Sequence, residues 1–478
     1  MSDRSSTGFL DGVFDRTLAN LRSAWREIAG SARGVLTGAP RPDLPDDDAA
    51  RLHQQMLACL DASGGEVAAR ARAADLGRTY LALNPAGRER FVRLLAEDFD
   101  TDHEAVNRCC AALSDAEDPV ERRDAERALR AALLPPRVNL LRHFNSLPEG
   151  VKFLVDLRAE VIDFAGADPA MRGLSEDMRE FLGNWFDIGF LELRRITWDA
   201  SASLLEKLIA YEAVHEIRGW TDLKNRLEAD RRCFAFFHPR MPDEPLIFVE
   251  VALVKGMSAN IQTVLDEAAP IGDPQSADTA IFYSISNCQR GLAGISLGDF
   301  LIKRVVDALA TELPRLKTFA TLSPLPGFRT WLNAEIDRAA VLSSGEARTI
   351  EVLAAGVEGD GPGQKLLRLL DNPSWAEDPR AASALRDPLL RLCAQYLQAH
   401  TAAGRAVDPV AHFHLTNGAR VERLDWLSDI SPKGLQQSAG IMVNYLYRLD
   451  EIEANHAAYR ESGKVAAASA VRNLLRAA

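Results

Sequence analysis

The apolar residues of this chain change their spacing once, close to Leu191, and that change excludes a single uniform architecture. From about Asp48 to Gly189 they recur at three- and four-residue steps, as in RLHQQMLACL, RERFVRLLAEDF, DAERALRAALL and EGVKFLVDLRAEVIDF. That period buries one stripe of a helix. The Pro135–Pro136 pair must interrupt one helix before the next begins. After Leu191 the runs CFAFFHP, PLIFVEVALV, AIFYSISNC, FATLSPLPGF, PVAHFHLTNGARVERLDWL and IMVNYLYRL are aromatic and β-branched, and several alternate with period two. Those are strand signals. The segments DFLIKRVVDALATEL and QKLLRLLDN between them read as helices. The predicted class is α+β, with an all-α bundle over residues 1–190 and a mixed domain over 191–478. A chain of 478 residues exceeds what one core usually holds. An amphipathic helix is also expected around Phe14 to Ile28, ahead of the connector APRPDLPDDD.

The net charge of −12 argues against nucleic acid as a partner, because such binders need a broad basic face. It leaves room for a small anionic ligand held by local donors. The six cysteines form no CxxC pair, so a reducing compartment is expected. No apolar run approaches the roughly 18 residues that span a bilayer. Acidic residues break any signal-peptide core in MSDRSSTGFLDGVFDRTLANL, and VRNLLRAA carries no peroxisomal signal. The cytoplasm is the expected location.

The most informative local feature is AIFYSISNC-QRGLAGISLG-DFLIKRVVDAL, a strand, a glycine loop and an amphipathic helix in succession. Gly291, Gly294 and Gly298 allow a sharp turn and a close approach to a ligand. Unpaired amides at the helix start favour phosphate, with Asp299 as the N-cap. Asp299 also brings a negative charge to the same place. The alternative is a glycine turn that serves close packing. The segment fits the Rossmann fingerprint poorly and looks more like the loop with which GNAT-type acetyltransferases hold the CoA pyrophosphate. Even there, Gly291 stands where Gln or Arg is expected and Ser296 where Gly or Ala is.

Two further segments carry candidate chemistry. In TLSPLPGF, Pro324 and Pro326 fix the backbone after Ser323 and hold its hydroxyl in one direction, although Ser-Pro is also a common turn. In AHFHLTNGA, an extended strand would put His412 and His414 on one face. A metal pair, a proton-shuttling imidazole and a satisfied core histidine all remain open there. Asn417-Gly418 should turn the chain and leave Asn417 able to orient a ring or a substrate oxygen.

FYSISNCQRGLAGISLGDFLIKRVV, TLSPLPGF, FHLTNGA and the closing SAGIMVNYLY together resemble the malonyl-CoA decarboxylase family. The likeness spans most of residues 190–455. It implies a GNAT-like catalytic domain, a helical oligomerisation domain, and dimers or tetramers. It implies conversion of malonyl-CoA to acetyl-CoA and CO2, with Ser323 and His414 as the active-site pair. Ala293, Gly294, Ile295, Ser296, Leu297, Gly298 and Asp299 correspond to a malonyl-CoA-binding stretch, preceded by Gln289 and Gly291. Some relatives have a glutamate in this loop where this chain has Ser296. Asn417 and Tyr445 join the expected substrate-binding set. No metal, biotin or pyridoxal cofactor is called for, because the thioester carbonyl itself accepts the charge left by CO2. The competing readings are a GNAT-type acyltransferase, which would need an amine acceptor site, and a non-catalytic CoA-binding scaffold.

Overall fold

The computed structural model describes residues 25, 40–61, 65–186, 188–295, 297, 301–338 and 341–476. The expected helix around Phe14 to Ile28 lies outside the described residues except for Trp25, which is buried. The chain forms two compact units. The first is Met1–Glu192 with Phe237–Leu246 and Cys288–Leu297; the second is Leu193–Phe236, Ile247–Asn287 and Gly298–Ala478. No helix among the described residues is long and apolar enough to cross a membrane.

The first unit holds eight helices among the described residues: α1 (Asp46–Leu60), α2 (Gly65–Ala82), α3 (Pro85–Glu97), α4 (His103–Asp115), α5 (Pro119–Ala132), α6 (Pro136–Asn145), α7 (Gly150–Ala165) and α8 (Pro169–Gly183). Asn84, Asp118 and Asp168 cap α3, α5 and α8, each with proline at the first helical position. The side-chain oxygen satisfies an orphan N–H, and the fixed φ of proline suits the first turn. Helix α7 is buried through Val151, Phe153, Leu154, Val155, Leu157 and Val161. Trp25, Tyr80 and Phe144 pack on Phe153 with ring centroids 4.9, 5.8 and 5.2 Å away. Helices α4 and α5 differ, since neither contains a buried residue.

The strands are β1 (Glu192–Ile196), β2 (Arg231–His238), β3 (Met241–Val254), β4 (Thr279–Asn287), β5 (Thr318–Thr321), β6 (Arg420–Asp425) and β7 (Met442–Leu446), and apart from Glu192 and Phe237–Leu246 their residues fall in the second unit. The sheet order is β1-β2-β3-β4-β5-β7-β6. Among the described residues its helices are α9 (Ala202–Tyr211), α10 (Trp220–Arg226), α11 (Ile261–Val264), α12 (Leu301–Glu312), α13 (Phe328–Arg338), α14 (Ser344–Leu353), α15 (Pro362–Asp371), α16 (Pro379–Gln398), α17 (Pro409–Thr416), α18 (Pro432–Ser438), α19 (Ile452–Ser462) and α20 (Ser469–Leu474). The chain is therefore α+β.

Two irregularities shape the site. β3 and β4 are antiparallel, but Glu250 and Val251 pair with Ser284 and Phe282, leaving Tyr283 as the extra residue of a bulge. β4 and β5 are parallel only over Thr279–Phe282 and Thr318–Thr321, while β4 runs on to Asn287. The two strands part there and open a cleft.

One expectation is overturned. Residues 409–416, read as a strand, form helix α17. Asp408 accepts the Ala411 N–H at 2.8 Å and Pro409 takes the first position. That start signal outweighs a short period-two run. On a helix, residues two apart differ by about 200°. His412 and His414 accordingly diverge: His412 Nδ1 pairs with the Tyr459 hydroxyl at 2.8 Å, whereas His414 is buried.

Candidate active site

Ser323 follows the end of β5 and is clamped to β7. Its N–H donates to Val443 O and its carbonyl accepts from the Val443 N–H, both at 2.9 Å. Pro324 and Pro326 then prevent the strand from continuing. Thr321, two residues earlier, shares its face, and Ser323 Oγ lies 2.8 Å from Thr321 Oγ1. Thr321 Oγ1 also accepts the Tyr445 N–H at 3.1 Å.

His414 stands in the last turn of α17, and its Nε2 is 2.9 Å from Ser323 Oγ. Its Nδ1 is 2.7 Å from the Tyr447 hydroxyl. The Tyr445 ring stacks on the imidazole, with centroids 4.4 Å apart and planes at 25°. Ser323, His414, Tyr445 and Tyr447 are all at most 5% exposed. Burial alone pushes the His414 imidazole down to about 3, so the free protein holds it neutral. Burial pushes both tyrosine hydroxyls well above their ordinary value.

The hydrogen bonds select one tautomer. Thr321 O–H donates to Val443 O at 3.4 Å, so Thr321 Oγ1 accepts from the Ser323 hydroxyl. Ser323 Oγ then accepts the His414 Nε2–H, and His414 Nδ1 accepts the Tyr447 O–H. Turning the Ser323 hydroxyl toward Nε2 would require the opposite tautomer, with Tyr447 as acceptor.

The pair faces a cavity of about 230 Å³ in the cleft between β4 and β5, also lined by Val214, Phe282, Tyr283, Ile285, Asn287, Pro324, Val410 and Phe413. The wall is largely apolar. Its polar backbone follows from the ladder. The Cys288 N–H reaches Leu246 O at 2.9 Å, so backbone groups at Ser286 and Ser284 face β3. Those of Ile285 and Asn287 face away from β3, toward the cleft.

Tyr445 thus supports the imidazole, and its own hydroxyl is buried with no hydrogen-bond partner among the described residues. Asn417 ends α17, where its Nδ2 donates to Phe413 O at 2.9 Å; it is absent from the cavity lining. Sequence reasoning missed Tyr447 and Thr321. Both could have been found from period two, since Tyr447 follows Tyr445 on one strand and Thr321 precedes Ser323 on another.

The glycine segment Gln289–Leu297 belongs to the first unit. Gln289 is buried and its Nε2 donates to Pro245 O at 3.0 Å. A Cβ on Gly291 would lie 1.7 Å from Val155 O, and Gly291 O accepts from Arg158 Nη1 at 2.5 Å. Close packing on α7 therefore explains that glycine. Gly294 adopts a φ of +74°, and it and Ala293 are exposed, while Ile295 and Leu297 are half-buried. Ser296, Gly298 and Asp299 lie outside the described residues.

The profile described as "Malonyl-CoA decarboxylase C-terminal domain" matches residues 189–478, and "Malonyl-CoA decarboxylase N-terminal domain" matches 99–186. The chain is 38% identical over 406 residues to "Malonyl-CoA decarboxylase, mitochondrial" of Anser anser anser, covering 81% of this chain and 80% of that protein. For the Rattus norvegicus protein of the same name the identity is 38% over 407 residues, with 82% of each chain covered. The crystal structure of malonyl-CoA decarboxylase from Rhodopseudomonas palustris superposes with a TM-score of 0.81 at 43% identity, over 89% of this chain and 99% of that one. The Agrobacterium vitis enzyme gives 0.77 at 42% identity, again over 89% and 99%. With both profiles matched and relatives this similar over most of their length, the chain belongs to the malonyl-CoA decarboxylase family.

Proposed function

We propose that this protein decarboxylates malonyl-CoA to acetyl-CoA and CO2, with Ser323 and His414 as the working pair. The observation that carries this reading is the 2.9 Å contact between Ser323 Oγ and His414 Nε2 at a small, mainly apolar cavity. In the reaction the bond from C2 to the carboxylate breaks and its electron pair enters the thioester as an enolate. The amides of Ile285 and Asn287 face the cleft and suit the enolate oxygen; one such donor is typically worth about 3 kcal/mol.

The proton for C2 comes through the Ser323–His414 pair. In the free site the imidazole is neutral, held down to about 3 by burial. An incoming carboxylate favours the charged ring, so substrate enters together with one proton. Loss of CO2 shifts that negative charge from the carboxylate to the enolate, whose C2 is a far stronger base beside the imidazolium. The proton passes to C2 directly or through Ser323 Oγ, and the ring returns to its neutral form. One proton is consumed for each CO2 released. The apolar wall assists by disfavouring the carboxylate relative to neutral CO2.

We assign CoA binding to Ala293–Asp299, with Gln289 and Gly291 holding the start of that loop and Asn417 and Tyr445 supporting the pair. Cytoplasmic location and assembly into dimers or tetramers complete the reading. The free thiols of Cys59, Cys109, Cys110 and Cys393 suit a reducing compartment. The α4–α5 pair has no buried residue and suits a subunit contact, which light scattering of the full chain would test. The activity test is release of acetyl-CoA and CO2 in equal amounts from malonyl-CoA in the presence of EDTA. Ser323→Ala and His414→Asn should each lose about 10²–10⁴-fold in kcat. Retention of kcat within tenfold in His414→Asn would remove that residue from the mechanism.

A further inference from the structure

Two cavities of the second unit meet at one residue. Beside the 230 Å³ cavity over Ser323 and His414 lies a larger one of about 990 Å³, whose lining includes Glu216, Gln262, Asp266 and Asp429. Among the described residues, Val214 alone lines both. It sits on a short segment after α9 that is held from two sides. Glu212 Oε1 accepts the N–H of Val214 at 2.8 Å and of His215 at 2.7 Å. Its other oxygen accepts the Ser284 hydroxyl at 2.7 Å and the Ser286 hydroxyl at 3.1 Å, which ties the segment to β4. From the opposite side Lys433 Nζ donates to Ala213 O and Val214 O, both at 3.0 Å. Other parts of the apolar wall are tied to the core or to α17. Phe282 is a core residue, and Val410 and Phe413 belong to the helix that carries His414.

We propose that Val214 determines specificity by setting the size of the group that C2 of the malonyl thioester can carry, with Glu212 as the positioning residue that holds it. The inference rests on the decarboxylation reading of this cavity. A hydrogen on C2 leaves the wall undisturbed, whereas an alkyl group presses on Val214, the residue shared with the larger cavity. For ethylmalonyl-CoA the C2–carboxylate bond breaks, the electron pair enters the enolate, and C2 takes a proton to give butyryl-CoA and CO2.

The test is kcat/KM for ethylmalonyl-CoA and malonyl-CoA in the full-length wild type, Val214→Ala, Val214→Leu and Glu212→Ala. One methylene in such a pocket is worth about 10-fold or more. The ratio of ethylmalonyl to malonyl turnover should rise at least that much in Val214→Ala and Glu212→Ala, and fall in Val214→Leu. A general folding defect would lower both rates together and leave the ratio unmoved. Ratios within about twofold of wild type in all three variants, with Ser323→Ala inactive, overturn the role of Val214 and leave the active-site assignment standing. An active Ser323→Ala overturns both.

Discussion

Tyr447→Phe removes one oxygen atom from the site and isolates what fixes the imidazole. In the wild type the Tyr447 hydroxyl and His414 Nδ1 are 2.7 Å apart, and each residue is only 2% exposed. Water cannot replace the lost partner, so a buried ring nitrogen is left unpaired, at about 1–3 kcal/mol. The ring itself should stay in place, because the Tyr445 stack at 4.4 Å and the α17 backbone are untouched. What is lost is the preference for one tautomer. With that preference worth about 1–3 kcal/mol, kcat should fall by about 5–150-fold while KM changes only a few-fold. Steady-state kinetics on malonyl-CoA, with denaturant unfolding alongside, provide the assay. Combining Tyr447→Phe with Ser323→Ala adds a check, since two residues acting through one imidazole should be far from additive. A kcat within twofold of wild type would show that Tyr447 does not position His414, and the proton path proposed here would lose its anchor.

Other outcomes follow from the same geometry. Gly291→Ala places a methyl against Val155 O and should either destabilise the protein by about 1–3 kcal/mol or push the loop away, seen as a higher KM. Unchanged KM and unchanged melting would contradict that packing. Asp408→Ala removes the α17 cap and orphans the Tyr396 hydroxyl, now 2.9 Å from the carboxylate. The cap accounts for about 1 kcal/mol and the buried hydroxyl for about 1–3, measurable by chemical unfolding. The His414 imidazole is depressed from 6.5 to about 3 by burial, so between those pH values the unfolded chain binds the extra proton. Stability therefore falls as pH drops through that window. From pH 6.5 to 4.5 the wild type should lose about 2 kcal/mol more than His414→Gln. Equal losses would mean that the ring takes up its proton in the folded protein as readily as in the unfolded chain.

Much of the second unit was legible because burial on a sheet leaves a period-two trace. PLIFVEVALV and AIFYSISNC became β3 and β4, and DFLIKRVVDALATEL became α12 with Leu301, Ile302, Val305, Val306 and Leu309 inside. Residues 409–416 were misread because eight residues carry too little periodicity to choose between helix and strand. There Asp408-Pro409 was the better guide, as Asn84-Pro85 and Asp168-Pro169 were in the first unit. Gly291 carried a phosphate-loop reading, yet the packing of Val155 is what demands a glycine.

The sequence by itself determined the α+β class, the position where helical spacing gives way to strand spacing, and two side chains suited to proton chemistry. These are local properties, written in spacing and in the stiffness of proline. Only the tertiary structure decided that Ser323 and His414, 91 residues apart, meet at 2.9 Å. It alone decided that Tyr447 and Thr321 complete their hydrogen bonds, and that β4 parts from β5 to make a cleft beside them. Those contacts depend on strand register and on a one-residue bulge at Tyr283, and non-local pairing of that kind leaves no periodic signal in the chain.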